Sequence, residues 1–250
     1  MKTNQNGRSM IEMLGVLAII GVLTVGGILG YTKAMAKYRS NKVIDQITLF
    51  ITNIRTMYAA QQTYINLSNS LAIDLNLTPD ELVVRDANGP TGVLRNVFSG
   101  NVQVAASGIN VDGDNGAFVL TFYGLSRDAC IAIATSDWGS GSSSGLVAVH
   151  YYNDASGTEA ATALTAANTG GAPATGSAAV ATPANAPAPT DDTLNDVFKT
   201  AAQSSAKAES GNYIGVPGDP TVTVPLTVDQ AMAACTCRDK ATCAASFKYF

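Results

Sequence analysis

Apolar positions are unevenly spread along this chain. From Met13 to Thr32 no side chain is charged, and at ~1.5 Å per residue such a run matches a hydrocarbon core of ~30 Å. The run predicts a transmembrane helix. A secretory signal peptide has an apolar region of only ~7–15 residues before its cleavage site, and helical patterning here continues well past that length. Val43, Ile47, Phe50, Ile54 and Tyr58 recur at three- and four-residue steps, while Lys42, Gln46, Asn53 and Arg55 take other faces. One helix is therefore expected over residues 8–65, with 13–32 as its membrane part, about 87 Å long from Arg8 to Ile65.

Beyond that stem the pattern breaks into short elements, predicting a globular head over residues 66–250. Thr78-Pro79-Asp80-Glu81 has the shape of a capping box with Pro at the first helical position. Asn101–Ala106 and Ala117–Tyr123 read as an antiparallel strand pair, separated by the turn signals Asp112-Gly113 and Asn115-Gly116. Ser126 precedes a helix through Ala134, and Leu146–Tyr152 reads as a strand. Thr227 and Gln230 cap a helix through Ala234, and Ser246–Phe250 can close a sheet. The fold class expected is α+β, a long N-terminal helical spine packed on a small antiparallel β-sheet head. Residues 154–192 are dominated by Ala, Thr, Gly, Pro and Asn, too few large side chains to offset ordering entropy, so they read as a flexible surface insertion. Residues 193–208 read as a helix lying on the head.

Charge sharpens the division between stem and head. The 250-residue chain has a formal charge of −4, yet residues 1–62 hold seven of its 15 Lys/Arg and only two of its 19 acids. A basic stem thus carries an acidic head, and the acidic balance gives no specific nucleic-acid signal. A single histidine, His150, removes most zinc sites and catalytic triads, so no catalytic, metal or cofactor site is expected. Gly141-Ser142-Ser143-Ser144-Gly145 satisfies the spacing of a nucleophile elbow, but the expected order is helix, loop, strand, so a turn is the better reading. Asn110, Asp112 and Asp114 resemble the start of a calcium loop, but Asn115 stands at the required glycine and Thr121 at the bidentate glutamate, which again favours a turn. Trp138, Tyr151 and Tyr152 fit either a core or an adhesive patch.

Glu12 is the anomaly of the stem. A carboxylate at mid-bilayer costs about 2.5–3.5 kcal/mol on insertion scales, and less near the interface. A place near a helix N-terminus lowers that cost through the macrodipole. The local string is Gly7-Arg8-Ser9-Met10-Ile11-Glu12, followed by LGVLAIIGVLTVGGILGY.

These residues resemble the type IV prepilin signature: a short hydrophilic leader ending in Gly, cleavage after it, and Glu at the fifth mature position of a long apolar helix. The run from Ser9 to Met35 looks most like the type IVb pilins of conjugative thin pili and toxin-coregulated pili. The resemblance implies a leader of residues 1–7, cleavage between Gly7 and Arg8 by a prepilin peptidase, methylation of the new amine, and pairing of that amine with Glu12 of a neighbouring subunit. It implies a structural subunit, not an enzyme, held in the bacterial inner membrane with its head outside the cytoplasm, then polymerised with copies of itself by a pilus assembly machinery into an extracellular filament. The other readings are a minor pilin or secretion pseudopilin and, from another class, a membrane-anchored surface enzyme or ligand-binding module.

The chain departs from the family at Arg8, where an apolar residue usually stands, and its leader is short for the type IVb branch. Lys33, Lys37, Arg39 and Lys42 follow the span whereas Lys2 and Arg8 precede it. Taken alone, the positive-inside rule therefore points opposite to the resemblance. Gly21, Gly26, Gly27 and Gly30 lower helix propensity and suit close packing, so this segment is expected to loosen or pack tightly on assembly. In an exported head four cysteines favour disulfides. Cys235 and Cys237 are too close to pair readily. That leaves Cys130–Cys235 with Cys237–Cys243, which is preferred, or Cys130–Cys237 with Cys235–Cys243.

Overall fold

The computed structural model describes residues 10–61, 63–87, 89–107, 116–139, 144–154, 212–215, 224–237 and 242–250. The expected leader, Arg8, the helix at 193–208, the Asn110–Asp114 loop and all of the 154–192 insertion but Asp154 lie outside them. The chain divides into two compact units, Met1–Arg39 and Ser40–Phe250. The first helix, α1 (Met10–Tyr58), supplies residues to both.

In the second unit α1 presents the face that the apolar spacing picks out: Val43, Ile47, Phe50 and Ile54 are all fully buried. Each such side chain removed from water contributes about 1.5–3 kcal/mol, and this seam anchors the head's core. The helix ends at Tyr58, short of the expected Ile65. Gln61 N–H donates to the Tyr58 carbonyl (2.8 Å). The chain then turns, and Tyr64 packs against both Tyr58 and Phe118, with ring centroids 5.1 and 4.9 Å away. Burying that aromatic ring outweighs extending a helix past Ala59, Ala60 and Gln61, which are exposed and have nothing to pack against.

The α1 seam packs with a seven-stranded sheet, antiparallel throughout. Its strands are β1 (Val83–Asp86), β2 (Gly89–Arg95), β3 (Asn101–Ser107), β4 (Ala117–Leu125), β5 (Leu146–Asp154), β6 (Asn212–Gly215) and β7 (Thr242–Tyr249), in the order β1-β2-β3-β4-β7-β5-β6. The architecture is α+β as expected, although the sheet is larger than the sequence suggests, and the last strand sits in its interior. On β4 and β7 both faces are buried. Phe118, Leu120, Phe122 and Phe247 join the α1 core, while on the opposite side the Thr121 and Ser246 hydroxyls bond at 2.9 Å and Tyr123, Tyr152 and Ala244 cluster.

Among the described residues three short α-helices belong to the head: α2 (Asn69–Asp74), α3 (Arg127–Ala134) and α4 (Val228–Ala234). Ser126 caps α3 by accepting from Ala129 N–H, and Thr227 with Gln230 forms the expected reciprocal capping box on α4. The box expected at Thr78 does not form. Pro79 precedes a single 3-10 turn, Asp80–Leu82, without a side-chain cap, because the chain enters β1 at Val83. Asn69 covers the β3 edge where β2 pairs with it only at Val102 and Asn101. Its amide donates to the Val102 carbonyl (3.0 Å) and accepts from Val104 N–H (2.9 Å), replacing a strand neighbour. Gly100 is needed nearby, since a Cβ there would collide with the Tyr123 carbonyl.

Candidate functional site

The candidate site is the exposed part of α1 rather than a cleft. Every described residue from Met10 to Arg39 is exposed except half-buried Met35, including Leu14, Ile19, Ile20, Val22 and Leu23. Over this apolar stretch the mean hydropathy of 18 residues reaches 2.3, enough for a membrane span by length and composition. So much exposed apolar surface needs a covering, either lipid or other helices. The polar groups within it are already satisfied: Thr24 donates to the Ile20 carbonyl (2.7 Å) and Thr32 to the Leu29 carbonyl (3.0 Å). Internal pairing of this kind is what an apolar surrounding demands.

Glu12 lies in the first turn of α1, exposed, where the amide ends favour a carboxylate. Gly7 and Arg8, which flank the expected cut, are outside the described residues. Gly21, Gly26, Gly27 and Gly30 all lie within unbroken helix in this single subunit. A Cβ on any of them would meet nothing within 4 Å. No intramolecular contact therefore requires glycine at these positions.

In the head the structure joins Cys130 to Cys235 and Cys237 to Cys243, with Cα atoms 5.9 and 5.5 Å apart. The first bridge ties α3 to the end of α4, and the second ties the following segment to the start of β7. Arg127 Nε donates to the Cys235 carbonyl (3.0 Å) and Leu226 N–H to the Ala134 carbonyl (3.0 Å), fixing the same junction. The sulfurs of Cys130, Cys235 and Cys243 lie within 4.8 Å of one another. Because all are spent in disulfides, they are not the thiolates that a metal needs.

The aromatic residues left open by the sequence belong to the core: Tyr151 is fully buried, and Trp138 and Tyr152 nearly so. Trp138 Nε1 donates to the Ile133 carbonyl (2.7 Å), and Tyr249 donates its hydroxyl to the Trp138 carbonyl (2.6 Å). Burial pushes the Tyr249 phenol far above its ordinary value, against the opposing pull of Arg55, whose guanidinium carbon lies 5.6 Å from the ring centroid. His150 stacks on Tyr152 with centroids 4.6 Å apart. In the Ser/Gly loop Ser144 donates to the Gly139 carbonyl (2.7 Å) and accepts from Leu146 N–H. It leads into β5, the reverse of the strand-to-helix order of a nucleophile elbow. Residues that sequence reasoning missed are structural: Asn69, and Asn96, which sits in the β2–β3 turn and donates its amide to the Tyr123 carbonyl of β4 (2.7 Å). An Asn just before a turn is the local signal for the second; nothing local announces the first.

The family model described as PilS N terminal matches residues 37–182. The major structural subunits of the bundle-forming pilus from Escherichia coli O127:H6 and O111:H- are each 25% identical over 138 residues, 55% of this chain and 68% of theirs. The type IV b pilin of Salmonella typhi, a crystal structure, aligns over 82% of this chain and 97% of its own with 16% identity and a TM-score of 0.41.

Proposed function

The chain belongs to the PilS N-terminal family and is a type IVb pilin, a structural subunit rather than an enzyme; from that premise we propose how its stem is processed and assembled. The subunit starts in the bacterial inner membrane, with residues 13–32 spanning it, residues 1–7 cytoplasmic as a leader and the head, from 66 onward, outside the cytoplasm. A prepilin peptidase cuts between Gly7 and Arg8 and methylates the new amine. The assembly machinery then draws the stem from lipid into a bundle of identical stems, where apolar residues such as Leu14, Ile19 and Val22 exchange lipid for protein neighbours.

Glu12 sets the register of that exchange. Within an apolar bundle an unpaired carboxylate is costly, and the amine of a neighbouring mature subunit is the partner that relieves it, with the Arg8 guanidinium as a second donor. Removing one partner of such a buried pair typically costs ~3–5 kcal/mol. Gly21, Gly26, Gly27 and Gly30 let the helix extend or pack closely as stems converge. The four bridged cysteines hold the head closed.

The observation that carries this reading is the family match from residue 37 combined with a charge-free run of twenty residues that has Glu12 just before it. Glu12→Ala tests it: the protein remains in the membrane fraction while surface filaments are lost or shortened. Normal filaments from that variant overturn the register role. Abundance in sheared filaments separates a major from a minor subunit.

A further inference from the structure

Lys33, Lys37 and Arg39, which follow the span, are left unexplained by the proposed processing, and they run against the positive-inside tendency. Lys42 pairs with Glu81 at 2.7 Å. Lys33, Lys37 and Arg39 are exposed, and among the described residues none of the three has an ion-pair partner. Tyr31 precedes them and Tyr38 stands between Lys37 and Arg39, exposed by 66% and 57%. Successive positions on a helix advance by ~100° and rise ~1.5 Å, so Lys33 and Lys37 share one side while Tyr31, Tyr38 and Arg39 lie toward the other. The result is a ring around the helix, not a single charged face.

We propose that Lys33, Lys37 and Arg39, with Tyr31 and Tyr38, form a collar that binds the anionic headgroups of phospholipids and fixes the depth of the unassembled subunit. The axial distances favour it. Counted from Thr32, Lys33 stands ~1.5 Å, Lys37 ~7.5 Å and Arg39 ~10 Å beyond the apolar run. A headgroup layer is about 5–8 Å thick on each side of the hydrocarbon core, and charges act over a screening length of ~8 Å. Lys33 and Lys37 fall within that layer and Arg39 within one screening length of it, whereas Lys42 is already paired with Glu81. Tyrosine favours the same interface, with its ring in the acyl boundary and its hydroxyl in water.

Depth is the consequence. Glu12 lies 21 positions before Lys33 in the sequence, about 31 Å along α1, one hydrocarbon thickness. With the collar held in one headgroup layer, Glu12 is held at the other, hydrated until a neighbour's amine replaces water. The excess of cations after the span is then a lipid contact and not a topology signal.

This inference rests on the proposed membrane residence, and the test reads the two separately. Full-length protein in a non-ionic detergent is titrated with phosphatidylglycerol or phosphatidylcholine, and bound lipids are counted by native mass spectrometry. Each cation near an anionic headgroup contributes about fivefold, so phosphatidylglycerol is retained at lower concentration, by up to two orders of magnitude. Lys33→Gln/Lys37→Gln/Arg39→Gln abolishes the preference, Lys42→Gln leaves it, and free glycerol phosphate at equal concentration does not bind. Equal retention of both lipids, or a preference unchanged in the triple variant, overturns the collar. Glycerol phosphate binding as strongly as the lipid overturns its assignment to membrane. Carbonate washing of cell membranes reports the anchor independently: wild-type protein released by carbonate overturns the membrane reading itself, and the collar with it.

Discussion

The two disulfides offer a quantitative separation of chain entropy from local packing. Cys130→Ala/Cys235→Ala opens a bridge between residues 105 apart in sequence, whereas Cys237→Ala/Cys243→Ala opens one spanning a separation of 6. On the loop-closure relation, a link closing about 100 residues stabilises by about 4.7 kcal/mol, and one closing about seven by about 2.4 kcal/mol. All four cysteines are buried, at most 4% exposed, so the volume lost on truncation is similar in the two variants. The difference of about 2 kcal/mol between them therefore reports the chain rather than the cavity. Trp138, the one tryptophan, is a suitable reporter, because its ring lies 4.7 Å from Phe247 and its carbonyl accepts from Tyr249. Urea unfolding of the full-length variants in detergent, followed by tryptophan emission without reductant, should give the larger loss for the 130–235 variant. Equal losses, or the reverse order, refute the reasoning.

Phe50→Ala, at a fully buried position on α1, should cost about 3–5 kcal/mol in the same assay, whereas Leu49→Ala, half exposed beside it, should change head stability little. Tyr249→Phe leaves the buried Trp138 carbonyl without its donor and should cost about 1–3 kcal/mol, with a shift in tryptophan emission. A double-mutant cycle on Lys42 and Glu81, whose side chains are 33% and 40% exposed, should return less than about 1 kcal/mol and shrink further in salt. Burial raises the phenols of Tyr58, Tyr64 and Tyr249 above their ordinary value of 10.0, Arg55 opposing at the latter two. Above pH 10 the unfolded chain sheds protons that the native head retains, so stability is complete below that value and falls as pH rises beyond it. Denaturation curves between pH 8 and 12 check this, and a flat profile contradicts it.

The stem was legible because one long period controls it. The five-residue series from Val43 to Tyr58 names the buried face of α1, while the charge-free run and Glu12 carry the family resemblance. The strands at β3, β4 and β5 and the caps at Ser126 and Thr227 were equally readable, each from a local rule. What escaped depends on tertiary partners. β2 contains Gly89, Pro90 and Gly92, which argue against a strand, but β3 pairs with it only at Leu94 and Arg95, so the donor that Pro90 lacks is not needed there. At six residues α2 is too short to show a period, and the four residues of β6 are placed by pairing with β5 and by burial of Tyr213 in the core. Trp138, Tyr151 and Tyr152 could be assigned only once the faces of the sheet were known. The end of α1 was misplaced for the same reason, since the ring of Tyr64 finds its partners in Tyr58 and the distant Phe118.

The central claim is that this subunit polymerises through α1 after losing its leader. The most direct measurement is the intact mass, with amino-terminal fragmentation, of the main protein in filaments sheared from cells that express the chain. The account predicts a subunit that begins at Arg8, carries one added methyl group on its amine and retains both disulfides. Filaments that lack this chain, or a chain found only in membranes with residues 1–7 still attached, would contradict it.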